Sequence, residues 1–161
     1  MTIEAGVPLN IIINVIKDFM GVEHRIEYVR DKNGVRYYND SKGTNPDSSI
    51  KALEAMSRPT ILIAGGYDKH SEFDEFIEAF DNKVKLMVLL GQTADKIEET
   101  AVRHGFTNII KTDSLEKAVK ICAENAVSGD VVLLSPACAS WGMFKNYEER
   151  GKLFKEYVNS L

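Results

Sequence analysis

The sequence predicts an α/β fold, a mostly parallel sheet with helices on both faces, entered through an N-terminal β-hairpin. Three features carry that expectation. From residue 60 onward, strand-sized apolar runs alternate with amphipathic helical segments, the pattern of parallel strands joined by helical crossovers. The runs are apolar at every position rather than at alternate ones, as in strands buried on both faces. Ahead of them, Asn33-Gly34 separates two short β-prone segments and supplies the positive φ angles of a tight hairpin.

The elements follow in order. Leu9, Ile12, Ile13, Ile16 and Phe19 recur at three- and four-residue steps, so 9–19 reads as an amphipathic helix with Pro8 near its first turn and Gly21 beyond its end. Ile26–Arg30 and Val35–Asn39 form the hairpin, and a helix starts after Asn45 with Pro46 in its first turn. Thr60–Ala64, Leu86–Leu90, Asn108–Ile110 and Val131–Leu134 are the strands, with helices over Glu72–Phe80, Ala94–His104, Leu115–Ala126 and Tyr147–Val158.

Composition bounds the function. The 161 residues are 44% hydrophobic and 27% charged, which suits one globular domain able to bury a core without disulfide or metal. A net charge of −4, with Lys and Arg dispersed, gives no reason to expect nucleic acid or an anionic membrane as partner. Cys122 and Cys138 make no metal spacing, and with no secretory signal a reducing cytoplasm is the simplest location. The longest apolar stretches are far too short to span a bilayer.

Ligands of such folds sit beyond the carboxyl ends of the strands, so the segments there are the candidates. Asn39-Asp40-Ser41-Lys42-Gly43-Thr44-Asn45 places charges and hydroxyls before a helix N-terminus; its plainer reading is capping by Thr44 or Asn45. In Ala64-Gly65-Gly66-Tyr67-Asp68-Lys69-His70 the glycines give a ligand room beside the Lys69 charge, or make an ordinary turn. In Ser135-Pro136-Ala137-Cys138-Ala139-Ser140-Trp141 no histidine can be tied to Cys138, which reads as a small buried residue. The alternating charges of Asn146-Tyr147-Glu148-Glu149-Arg150 read as a solvated face. No phosphate loop of the Gly-x-x-x-x-Gly-Lys-Ser/Thr type occurs, and the three histidines are scattered, so neither an ATPase motif nor a metal site is expected here.

Taken in order with Gly21–Glu27 and Phe144–Gly151, these strings resemble the Mur ligases, and the Asp40–Asn45 and Ser135–Ser140 strings are most similar to the family's D-glutamate-adding branch. The resemblance implies a Rossmann-like C-terminal domain over 21–161, with 1–20 the closing helix of a preceding central ATPase domain. It implies an ATP-dependent ligase of peptidoglycan synthesis that joins D-glutamate to UDP-N-acetylmuramoyl-L-alanine through an acyl phosphate. ATP and Mg2+ would be held mainly by the central domain, and UDP-N-acetylmuramoyl-L-alanine by the parts outside this chain, which alone would be inactive and carry no catalytic residue. On the same resemblance, Thr44 and Lys69 meet one carboxylate of D-glutamate, and Ser140, Trp141 and the helix start at Tyr147 the other. Arg25, Asp40 and, beside them, Lys42 meet ATP. Tyr67 stands where some members carry an acid, and Tyr147 where others carry phenylalanine. The competing expectations are a stand-alone Rossmann-like module binding a nucleotide or partner, and a sibling ligase such as one extending folate with glutamate.

Overall fold

The computed structural model describes residues 5–18 and 21–161, with no side-chain placement for 17 and 18. Helix α1 (Leu9–Asp18) is followed by β1 (Glu27–Lys32), β2 (Val35–Asn39), α2 (Pro46–Glu54), β3 (Thr60–Ala64) and α3 (Asp74–Glu78). The chain continues through β4 (Val84–Leu89), α4 (Ala94–Arg103), β5 (Ile109–Lys111), α5 (Leu115–Asn125), β6 (Val131–Leu134) and α6 (Tyr147–Ser160). The six strands form one sheet in the order β1-β2-β6-β3-β4-β5. Only β1 runs antiparallel to its neighbour; the other pairings are parallel.

The fully apolar strands divide their side chains between two cores, as period-two geometry requires. Leu62, Ala64, Met87, Leu89 and Leu133 face α2, α3 and α4, where Leu53, Phe76 and Ile97 are buried. Ile61, Ile63, Leu86, Val88, Val132 and Leu134 face α5 and α6, where Val119 and Phe154 are buried. Helices therefore cover both faces, as the sequence predicts.

Local signals account for the junctions. Asn33 and Gly34 both take positive φ, 55° and 80°, and the Asp31 carboxylate accepts from the Gly34 amide at 3.0 Å. Asn45 caps α2 by accepting from the Ser48 amide at 2.9 Å, so of the two capping candidates it is Asn45 that serves. Two expectations need correction. Helix α3 spans only five residues rather than Glu72–Phe80, because a turn through Phe80, Asp81 and Asn82, the last two at positive φ, leads straight into β4. Strand β1 starts at Glu27, not Ile26, since Ile26 sits at φ 46°, a conformation that costs a β-branched residue energy and cannot continue a strand. The helical expectation for Phe19 falls outside the described residues.

Helix α1 is amphipathic, yet Leu9, Ile11, Ile13, Val15 and Ile16 are all exposed. No helix among the described residues is long and apolar enough to cross a membrane. Because β2, β6, β3 and β4 run in the same direction, their carboxyl ends bring the segments after Asn39, Leu134, Ala64 and Leu89 to one edge. The antiparallel β1 delivers residues 24–27 to that same edge.

Candidate functional site

The four strand-end segments are bound to one another by main-chain hydrogen bonds. The Asp40 amide donates to the Leu134 carbonyl at 2.7 Å, the Gly65 amide to Pro136 at 2.8 Å, and the Tyr67 amide to Ala139 at 2.9 Å. Thr93, after β4, closes the set: its amide donates to the Gly66 carbonyl at 3.1 Å and its hydroxyl accepts from the Gly66 amide at 3.0 Å.

This close packing decides between the two roles open to the glycines. A Cβ at Gly65 would lie 2.2 Å from the Leu90 carbonyl oxygen, and one at Gly66 would lie 2.3 Å from that of Ala139. The space a side chain would take is filled by neighbouring backbone. The glycines let three loops meet, rather than making room for a ligand on that side.

Arg150 corrects an expectation. Within a run of charges that reads as a solvated face, it is 2% exposed. Its Nε donates to the Ser41 hydroxyl at 3.0 Å, one Nη to the Ser41 carbonyl at 2.8 Å and the other to the Cys138 carbonyl at 3.1 Å. One guanidinium thus ties α6 to the loops after β2 and β6, using the fixed fork that lysine lacks. Burial pulls its pKa down to about 10, which leaves it charged at neutral pH.

Asp40 also faces inward. One carboxylate oxygen accepts from the Ile26 amide at 3.2 Å and the other from the Ser135 hydroxyl at 2.7 Å. Burial pushes its pKa above the ordinary aspartate value, although Ser135, the Ile26 amide, Arg25 and Arg150 all pull the other way. The bond to Ile26 holds the left-handed backbone that presents Arg25, whose side chain is exposed. Ser49, at the start of α2, accepts from the Ala137 amide at 3.0 Å and completes this polar layer.

His24 is buried. Its Nδ1 lies 2.9 Å from the Asn39 amide nitrogen, an amide donor facing a ring nitrogen that can accept. Glu23, His24 and Glu27 form a group with metal-ligand atom types, but the Lys155 ammonium stands in it, 2.7 Å from Glu23 and 2.9 Å from Glu27. The positive charge those acids need comes from the protein itself.

The other residues singled out in the sequence fall into two groups on this frame. The Lys69 ammonium lies 5.0 Å from the centroid of the Trp141 ring, and Tyr67 meets Trp141 edge-on at 5.6 Å. The Lys42 ammonium lies 3.4 Å from the Tyr147 hydroxyl, and the Ser41 hydroxyl donates to the Tyr147 carbonyl at 2.7 Å, fixing the start of α6. Thr44 is half-buried just before α2 and Ser140 is buried; among the described residues neither hydroxyl makes a hydrogen bond. Cys138 is buried as expected, 3.2 Å from the Thr93 hydroxyl, and burial raises its pKa to about 11, so it is no thiolate at neutral pH.

Arginine and lysine at Arg25 and Lys42 suit an anionic phosphate chain by charge. A protein carboxylate binds magnesium through an accessible oxygen, and Asp40, 2% exposed with a hydrogen bond to each oxygen, does not present one.

Sequence reasoning missed Thr93 and Ser49, and quoted Asn39, Ser135 and Arg150 within the candidate strings without giving them these roles. Nothing local marks them, because each acts through partners distant in the chain.

Comparison with known proteins places this arrangement. The family profile described as "Mur ligase, glutamate ligase domain" matches residues 24–138. The chain is 65% identical over its whole length to a UDP-N-acetylmuramoylalanine--D-glutamate ligase of Lachnospira eligens, and covers 36% of that relative. It is 60% identical over the same span to the enzyme of that name from Lachnoclostridium phytofermentans, again covering 36%. The chain therefore spans a little over one third of the curated relatives it matches. Among solved structures it resembles a UDP-N-acetylmuramate-alanine ligase from Thermotoga maritima, with TM-score 0.69, 15% identity, and coverage of 99% of this chain and 35% of that one. A Thermotoga maritima MurF ligase in complex with ADP gives TM-score 0.59 and 22% identity, covering 99% of this chain and 36% of that one. These structural likenesses bear on the fold alone.

Proposed function

The chain belongs to the Mur ligase family, and on that premise we propose that it is the domain presenting D-glutamate in an ATP-dependent ligase. That ligase joins D-glutamate to UDP-N-acetylmuramoyl-L-alanine in peptidoglycan synthesis, in the cytoplasm. The observation that carries this reading is the whole-chain likeness to relatives named for that reaction. On it, residues 21–161 form the amino-acid domain, and α1 is the closing helix of a preceding ATPase domain, which accounts for its exposed apolar residues. The chain alone is then inactive.

ATP, held with Mg2+ mainly outside this chain, supplies the phosphoryl group that turns the muramoyl-alanine carboxylate into an acyl phosphate; the amine of D-glutamate displaces phosphate from it to form the amide. This chain contributes orientation. Lys69 and the Thr44 hydroxyl take one carboxylate of D-glutamate. The Ser140 hydroxyl and the first amides of α6 at Tyr147 take the other, with Trp141 alongside. A dicarboxylate needs cations, hydroxyls and N–H donors at two separated points, and the two groups of residues offer them. Arg25 and Lys42 reach ATP by charge, while Asp40 acts there through the Arg25–Ile26 backbone it holds.

Kinetics of Lys69→Met in the full-length enzyme test the reading. Losing a hydrogen bond to a charged group costs about 1.5–3 kcal/mol, so the KM for D-glutamate should rise roughly ten- to a hundredfold. The constants for ATP and UDP-N-acetylmuramoyl-L-alanine should move much less. A folded variant with an unchanged D-glutamate KM refutes the placement.

A further inference from the structure

We propose that the Trp141 indole, lying alongside the D-glutamate site, is a positioning residue whose ring face holds the Lys69 ammonium ready for a carboxylate. The proposal rests on the D-glutamate reading and adds to it how Lys69 is aimed. Lys69 is exposed, and its stem leaves the charge free to sample many positions. Among the described residues no carboxylate lies within ion-pair distance of it, and the one partner it has is the indole, with Nζ 5.0 Å from the ring centroid. That is within the roughly 6 Å over which a ring quadrupole attracts a cation.

The ring is held in turn, although it is 55% exposed and the core does not fix it. Tyr67 packs against it with ring centroids 5.6 Å apart at 61°, and Tyr67 and Ala139 pair as an isolated antiparallel bridge. The loops after β3 and β6 thus each provide one aromatic, the backbone joins them below, and the ammonium rests above. An ammonium has three donors, and a ring face engages only one side of it, so N–H groups stay available to a carboxylate.

The adjacent acid does not capture the lysine. Asp68 accepts from the His70 amide at 2.7 Å, while its own amide donates to Gln92 at 3.3 Å. Had the indole held Lys69 away from the substrate instead, its removal would improve D-glutamate binding, so the direction of the effect decides the matter.

Two measurements test the proposal. In this chain, which contains one tryptophan, the Lys69 ε-methylene protons should show an upfield ring-current shift by NMR. The shift should be lost in Trp141→Leu and largely kept in Trp141→Phe. In the full-length enzyme, Trp141→Leu should raise the D-glutamate KM about two- to fivefold, the equivalent of an exposed cation–π contact, and leave kcat and the ATP KM unchanged. Trp141→Phe should restore most of it. In a Lys69→Met background, Trp141→Leu should add nothing, because the two residues act as one unit.

An absent ring-current shift overturns the proposal, as does a D-glutamate KM that stays level or falls in Trp141→Leu. So does an additive effect in the Lys69→Met background. In those cases the D-glutamate reading stands as long as Lys69→Met alone raises that KM; if it does not, both fall.

Discussion

Replacing Arg150 with methionine is the most demanding test of the frame beneath the site. The variant keeps much of the stem volume and removes every guanidinium donor. The buried carbonyls of Ser41 and Cys138 each lose a partner, and leaving such a group unsatisfied costs roughly 1–3 kcal/mol. The two together amount to roughly 2–6 kcal/mol. Against this stands the cost of keeping a cation in the interior. Burial lowers the folded-state pKa of Arg150 to about 10, so the unfolded chain binds its proton more tightly. The buried charge therefore works against folding at every pH below about 10, and that penalty eases only as pH rises through that value. Methionine removes that penalty, and the Ser41 hydroxyl loses a donor as well, so with both counted the net loss is about 2–4 kcal/mol.

At about 2–4 °C of melting temperature per kcal/mol for a chain of this size, Arg150→Met should melt roughly 4–16 °C below the parent at pH 7. Arg150→Lys should recover little of this, since a point charge on a flexible stem cannot reach three acceptors in a fixed fork. Thermal unfolding followed by circular dichroism measures both. An Arg150→Met midpoint within about a degree of the parent would show that the three hydrogen bonds do no more than offset the buried charge.

Two further expectations follow from the same layer. In Gly151→Ala the new Cβ would lie 2.3 Å from Nδ1 of the buried His24 ring. Overpacking of about 1–3 kcal/mol and a lost His24–Asn39 bond should outweigh the ~1 kcal/mol helix preference of alanine and lower the melting temperature; a rise refutes this. Asp40→Asn should be at least as stable as the parent at pH 7, because the raised folded pKa means the protonated carboxyl's contribution is fully present below its unfolded value near 3.8 and is lost as pH rises through the folded one. The advantage of the amide should shrink as pH is lowered towards 3.8, and a variant markedly less stable than the parent at pH 7 counts against the argument.

What the sequence reveals, it reveals where the cause is local. Thr60–Ala64 and Val131–Leu134 have the bounds read from the sequence, because burial on both faces makes their runs almost wholly apolar. Asn33-Gly34 and the Asn45-Pro46 start of α2 are equally local. Arg150 was illegible for the opposite reason. A charged residue in Asn146–Arg150 has the same neighbours whether it is solvated or buried, and what buries it is Ser41, 109 positions away in sequence. The five-residue α3 was overread because Phe73, Phe76 and Phe80 keep helical spacing while the backbone has already turned. The glycine pair is visible in the sequence but open between two roles, since a run of two glycines does not say whether backbone or ligand fills the space. The positions of Lys69, Trp141, Thr44 and Tyr147 came from family resemblance, and the structure adds which of them meet.

The polar residues at this edge divide sharply by what they bond. Asp40, Ser41, Ser49, Ser135, Thr93, Arg150 and His24 are buried, and among the described residues no side-chain polar atom wholly removed from solvent lacks a partner. Arg25, Lys69 and Trp141 are exposed, Lys42 and Thr44 are half-buried, and the Thr44 and Ser140 hydroxyls are uncommitted among the described residues. The first set holds the second. Such a division suits a domain whose work is orientation, because groups that face ligand gain from a support that does not itself compete for the ligand's charges. Orientation can contribute roughly 7–11 kcal/mol to lowering a barrier, and a displacement of about 1 Å can cost on the order of a hundredfold. On the proposed function, the Arg150→Met enzyme, assayed well below its melting temperature, should therefore lose more activity than its unfolded fraction explains. The guanidinium is what keeps the start of α6 and the loop of Ser140 in one register.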